Sequence, residues 1–126
     1  MVQLLWICLG GALGTGTRYL VGLGAAKLLG AGFPYGTLAV NVLGSFLISL
    51  VMYLSLDAGV VSAPLRLFLA TGFLGGLTTY SSFNYESLKL FQSGAVALCA
   101  ANVLVTLVSC AAAGLLGLFV AARLAG

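Results

Sequence analysis

Histidine is absent from this chain, and five Lys or Arg and two Asp or Glu are the only charges in its 126 residues. Without histidine and without an acid pair there is no general-base set for an enzyme, and no nucleophile–base pair can be assembled. Cys8, Cys99 and Cys110 form no close pair, so neither a zinc site nor a redox dithiol is expected. The five cations Arg18, Lys27, Arg66, Lys89 and Arg123 are scattered singly, which argues against nucleic acid and for anchors at membrane boundaries. The first apolar run starts at Val2 with no basic stretch before it, so a cleavable signal is not expected.

What fills the chain instead is apolar: 62% of residues are hydrophobic, and lipid must act as solvent for most of the exterior. The length suits one domain, 1–126. Four membrane-crossing helices are expected, at about 2–26, 36–56, 65–91 and 95–122, joined by short loops. Gly10 and Gly14 stand four apart in the first and offer a smooth face for close helix approach. The run Gly10-Gly11-Ala12-Leu13-Gly14-Thr15-Gly16 superficially matches a dinucleotide loop, but it follows no strand and no acidic residue lies about 20 positions on. Arg18 interrupts the first span; it either snorkels to an interface or marks an anion's entrance. Asn41 is the one strongly polar side chain of the second span. It serves as interhelical glue or as an anion contact, its amide having two N–H donors.

The third span is wrong for an uninterrupted helix. Gly72, Gly75 and Gly76 each weaken helix propensity by about 1 kcal/mol relative to Ala. The hydroxylated run Thr78-Thr79-Tyr80-Ser81-Ser82 then brings polar groups to membrane depth. A break near 75–79 is expected, with freed N–H groups suiting an anion and freed carbonyls a cation. Along the fourth span, Asn102, Thr106 and Ser109 or Cys110 form a weak polar stripe. Lys and Arg show no bias between the two sides. Such a chain can insert both ways and pair head to tail, which supplies the inverted repeat it lacks internally.

Three stretches resemble the Fluc/CrcB fluoride channels: Gly72 through Phe83, Gly36-Thr37-Leu38-Ala39-Val40-Asn41, and Gly10 through Gly14 followed by Arg18. The resemblance spans essentially the whole chain. It implies an all-α membrane protein of four transmembrane helices, the third broken at mid-membrane, assembled as an antiparallel, dual-topology homodimer in the bacterial inner membrane. It further implies passive, fluoride-selective export through two pores per dimer, with fluoride, lipid and a second copy as partners. A central structural Na+ held by the backbone carbonyls of Gly75 and Thr78 is implied as well. The family's paired aromatic rings fall on Tyr80 and Phe83 and its pore asparagine on Asn41. Thr79, Ser81, Ser82 and Glu86 fall where the family lines its pathway, and its polar lane on the last helix on Asn102, Thr106 and Cys110. The sequence departs from the family at Tyr80, where Phe is usual, and at Cys110, where a hydroxyl is expected.

The residues suit that chemistry. Stripping fluoride of water costs tens of kcal/mol unless something replaces it. Hydrogen bonds to charged groups return about 1.5–3 kcal/mol each, so a relay of donors is needed. Asn41, Thr79, Tyr80, Ser81, Ser82 and Thr106 form such a relay, assisted by the ring edges of Tyr80 and Phe83, with Arg18 near its entrance unless it snorkels. The principal alternative is a small dual-topology multidrug transporter, which needs an intramembrane carboxylate for proton exchange. Only Glu86 is available for that, because Asp57 falls in a loop and the first helix has no acid. A non-conducting assembly subunit, the other alternative, leaves Thr78–Ser82 unexplained.

Overall fold

The computed structural model describes every residue, Met1–Gly126, and is all helix. Two long helices, α1 (Val2–Leu29) and α2 (Tyr35–Leu56), are followed by a helical run in three pieces: α3 (Ala63–Arg66), a π-helical stretch Leu67–Leu74 and α4 (Gly75–Leu77). Two extended residues separate this run from α5 (Tyr80–Gln92), and α6 (Val96–Ala125) closes the chain. The connections turn on Gly30, Gly59 and Gly94, the only residues with positive φ (83°, 66° and 84°), where a side chain would be strained.

α1, α2 and α6 are each long and apolar enough to cross a membrane. At 28 residues α1 is about 42 Å long, more than the ~30 Å hydrocarbon core. It ends at Leu29, capped by Gly30 and nearly a turn beyond the expected 26, because Lys27 in its last turn favours the helix dipole rather than ending the helix. α6 likewise continues through Arg123 to Ala125. α5, at 13 residues, reaches about 20 Å and cannot cross alone.

Only 17 of the 126 residues are buried, too few for a water-soluble core. Leu13, Leu104, Val108 and Phe119 are among many large apolar side chains on the exterior. Lipid tails are no worse a solvent for them than another leucine, so helix association must come from close packing and polar contacts. Glycine supplies the closeness. α1 lies along 68–77, where a Cβ on Gly72 would sit 2.8 Å from the Ile7 carbonyl oxygen and one on Gly76 2.9 Å from the Thr15 nitrogen. α2 packs along α6 in the same manner, Gly117 resting on the Phe46 backbone. Val40, Leu74 and Leu77 form the small apolar cluster that joins α2 to the three-piece run.

The charged ends are tied locally. Arg66 Nη1 donates to Ser55 Oγ at 3.0 Å, and Ser55 Oγ donates to the Val61 carbonyl at 2.8 Å, closing the α2–α3 loop. Arg123 lies over the Phe119 ring at 4.9 Å and Lys89 over Tyr85 at 5.9 Å. Such cation–aromatic pairs suit a headgroup boundary.

Candidate functional site

The site grows from two residues that leave helical geometry. Thr78 (φ −83°, ψ 154°) and Thr79 (φ −154°, ψ 116°) are extended, directly after Gly75-Gly76-Leu77. Their backbone needs partners that a helix would have supplied. Asn41 on α2 provides them for Thr79. Its Nδ2 donates to the Thr79 carbonyl at 3.0 Å, and its Oδ1 accepts from the Thr79 N–H at 2.8 Å. This two-way clamp reproduces the bonding of a neighbouring strand with one side chain. It occupies Oδ1 and one of the two amide N–H groups, leaving the other free.

The clamp also redirects the ladder around it. The Thr79 N–H, which a continuous helix would give to the Gly75 carbonyl, goes to Asn41. Thr78 returns both its N–H (3.0 Å) and its hydroxyl (2.9 Å) to Leu74, and its own carbonyl accepts no hydrogen bond. Gly44 makes room for the Thr78 methyl: a Cβ there would overlap Thr78 Cγ2.

Thr79 caps α5, its Oγ1 accepting from the Ser82 N–H at 3.2 Å and donating to Ser82 Oγ at 3.1 Å. Ser81 Oγ lies 3.3 Å from the same oxygen, whose single proton is already given, so Ser81 is the donor. Removing a Thr cap costs about 1 kcal/mol. Thr79→Ala should therefore lower the melting temperature in detergent while Thr79→Ser leaves it close to wild type.

Beside the break lies a cleft of about 330 Å³ walled by Asn41, Thr79, Tyr80, Phe83 and Thr106, with Thr78 and Cys110. Five of the expected pathway residues meet there. Tyr80 and Phe83 face one another at 5.7 Å with their planes tilted by 59°. Phe83 is buried, whereas Tyr80 is 77% exposed, so the cleft lies on an open face of the chain. Gly44, Ser45, Ile48 and Leu107 also line it. Ser45 was not singled out from the sequence. Its one legible signal was its place one turn after Asn41, and its hydroxyl returns to the Asn41 carbonyl at 2.7 Å.

The other expected residues lie elsewhere. Ser81 and Ser82 support the α5 cap and do not line the cleft. Glu86 lies nearly two turns along α5, at a second cavity of about 500 Å³ bounded by Thr37, Lys89 and the Gly30–Gly36 connection. Thr37 donates to Glu86 Oε1 at 2.9 Å, and Oε2 is buried without a partner. Arg18 is partly exposed on α1 and lines neither cavity. Of the polar stripe on α6, Thr106 and Cys110 reach the cleft, Asn102 is fully covered, and Ser109 bonds back to the Val105 and Thr106 carbonyls.

Residues 5–118 match the family described as "CrcB-like protein, Camphor Resistance (CrcB)". A protein of Anaeromyxobacter dehalogenans named fluoride-specific ion channel FluC is 51% identical over 126 residues, all of both chains. Proteins of the same name from Sorangium cellulosum and Citrifermentans bemidjiense are 48% and 44% identical over 124 residues, 98% of this chain in each case and 98% and 100% of theirs. Matches of that identity along the full length leave no room for a shared motif on an unrelated fold: the chain is a bacterial multi-pass membrane protein and belongs to the CrcB-like family.

Proposed function

We propose that this protein is a fluoride-selective passive channel, and that it conducts as an antiparallel homodimer with one pathway along each copy's open cleft. The observation that carries the reading is the cleft itself. It gathers the clamped Asn41, the Thr79 turn, the facing Tyr80 and Phe83 rings and the Thr106 hydroxyl. The names of the relatives agree with it.

The chemistry follows from what each group has left to give. Asn41 retains one amide N–H beyond its clamp. The electropositive edges of the two rings suit a small anion, and the Tyr80 phenol adds a donor that a second Phe lacks. A partner must cover the open face, because Tyr80, Ser81, Asn84 and Tyr85 are exposed along α5 at membrane depth. A second copy inserted the other way supplies both the cover and the inverted repeat. In this reading 63–77 and α5 together make one broken third span, since neither half reaches ~30 Å alone.

A structural Na+ fits the donor set. The Thr78 carbonyl accepts no hydrogen bond, and Gly75 has lost its usual i+4 donor to Asn41. Backbone carbonyls suit a hard monovalent cation, and Gly75 and Thr78 from both copies would hold it. Bound there, the ion supplies fixed positive charge beside an anion path and holds the extended residues open.

The test is fluoride efflux from liposomes loaded with the purified protein, with chloride as control. Rapid fluoride loss with negligible chloride loss is expected. Tyr80→Phe, which removes one neutral hydroxyl, should change the rate by less than about tenfold. Absence of fluoride flux from both proteins, with drug–proton exchange in its place, would replace this reading with the transporter. Labelling of C-termini in intact cells should find them on both sides; all on one side would exclude the antiparallel pair.

A further inference from the structure

The polar stripe on α6 suggests a lane of lining groups, yet Asn102 is 1% exposed and lines neither cavity. Its amide is spent inside the protein. Asn102 Nδ2 donates to Ser87 Oγ on α5 at 2.9 Å, and Ser87 Oγ donates in turn to the Phe83 carbonyl at 2.8 Å. On its other side Asn102 Oδ1 accepts from the Thr106 hydroxyl at 3.4 Å. A buried ladder thus runs from the backbone of Phe83, whose ring walls the cleft, to the hydroxyl of Thr106, which walls it too.

The bonds of this ladder are unequal. Those at 2.8 and 2.9 Å are of ordinary strength, and the bond to Thr106 is long and weak. We infer that Asn102 is a positioning residue: anchored through Ser87, it holds the Thr106 hydroxyl at the cleft wall with its proton loosely engaged, ready to turn onto a fluoride ion. The proposal rests on the channel reading above and deepens it by assigning a role to a buried residue.

The direction of the proton is the point. A threonine in a membrane helix ordinarily gives its proton to the carbonyl three or four residues back in its own helix. Ser45 and Ser109 both do so here. Thr106 gives it to a side chain instead, at a distance that holds it weakly. Without Asn102 Oδ1, the ordinary bond to its own helix becomes the best one available. The hydroxyl is then engaged away from the cleft and lost as a donor to a passing anion. Ser87 contributes from a distance. It touches neither cavity, but without its oxygen the Asn102 amide loses its anchor.

The experiment compares fluoride efflux per correctly folded protein for wild type, Asn102→Leu, Thr106→Val and the double variant, each checked by thermal melting. Each single change should slow efflux about tenfold, the equivalent of one hydrogen bond to the ion. The double variant should be no slower than either single one, because both changes remove the same donor. Ser87→Ala, the milder variant should Asn102→Leu fail to fold, should slow efflux about threefold alone and add nothing to Thr106→Val. A wild-type rate in Asn102→Leu, or in Ser87→Ala where the leucine variant fails to fold, would overturn the assignment. So would a double variant slowed by the product of its two parts. Those outcomes leave the channel reading intact, whereas absence of fluoride flux from the wild type removes both.

Discussion

Asn41→Leu should nearly abolish fluoride efflux, and it has the largest expected effect of any single side-chain change at the cleft. Leucine nearly matches asparagine in shape but offers neither group of the clamp. The Thr79 N–H and carbonyl, now bonded at 2.8 and 3.0 Å, would both be orphaned at membrane depth. Each orphan costs about 1–3 kcal/mol, so two correspond to a loss of about 30-fold to 30,000-fold in rate if the conducting geometry must be recovered against them. The chain has an easy escape. With Asn41 gone, the Thr79 N–H can return to the Gly75 carbonyl, its partner in a continuous helix. That closure would remove the extended residues, the α5 cap and the Gly75 acceptor together. Asn41→Asp separates the two halves of the clamp. It keeps the acceptor for the Thr79 N–H, loses the donor to the carbonyl and adds a charge that repels the anion, so it should also fail to conduct while folding better than the leucine variant. Efflux and thermal melting measured together decide the case. A leucine variant that conducts near the wild-type rate would show that Asn41 does not hold the break.

The sequence carried the apolar spans and the polar interruption at Thr78–Ser82 because each is a local property: long hydrophobic runs for the first, helix-breaking glycines beside hydroxyls for the second. It also carried the Gly10/Gly14 face, where backbone meets backbone, since few other residues allow that approach. What it left open at Asn41, glue or anion contact, depends on what lies across from it. The fold answers with the Thr79 backbone, which uses most of the amide and leaves one N–H. The π-helical stretch Leu67–Leu74 had no sequence signal, because a wider turn is a matter of which carbonyl each N–H selects, not of which side chain it carries. Helical periodicity alone could not divide the α6 stripe. Asn102 and Thr106 share a face, but α5 covers the first and leaves the second at the cleft. Ser81, Ser82 and Glu86 fall on the pathway by family resemblance, which carries no information on where each side chain turns. The helix restarting at Tyr80 turns the serines to its own cap and carries Glu86 to a different cavity.

Within α1, two glycine-to-alanine changes should have opposite signs. At Gly14 a Cβ would overlap the Phe73 carbonyl oxygen and would lie 2.8 Å from the Phe73 carbonyl carbon and 2.9 Å from the Leu77 nitrogen. All three are backbone atoms of the run that ends at the break, so no side chain can swing aside. Overpacking ordinarily costs about 1–3 kcal/mol, and a rigid backbone on both sides places Gly14→Ala at or beyond the top of that range. A fall in melting temperature of more than about 10 °C is expected. Relief requires α1 and 67–77 to separate, which strains the Asn41 clamp on the adjoining Thr79 backbone, so the surviving folded fraction should also conduct poorly. At Gly24, ten residues further along the same helix, nothing lies within 4 Å of the added carbon. There the change gains helix propensity, up to about 1 kcal/mol, and Gly24→Ala should melt at or slightly above the wild-type temperature. The pair isolates contact from composition, because both variants make the same chemical change in the same helix. Equal melting temperatures would mean that α1 does not pack on 68–77 through its glycines. The expected order, with Gly14→Ala far lower, would tie the glycine face directly to the geometry of the break.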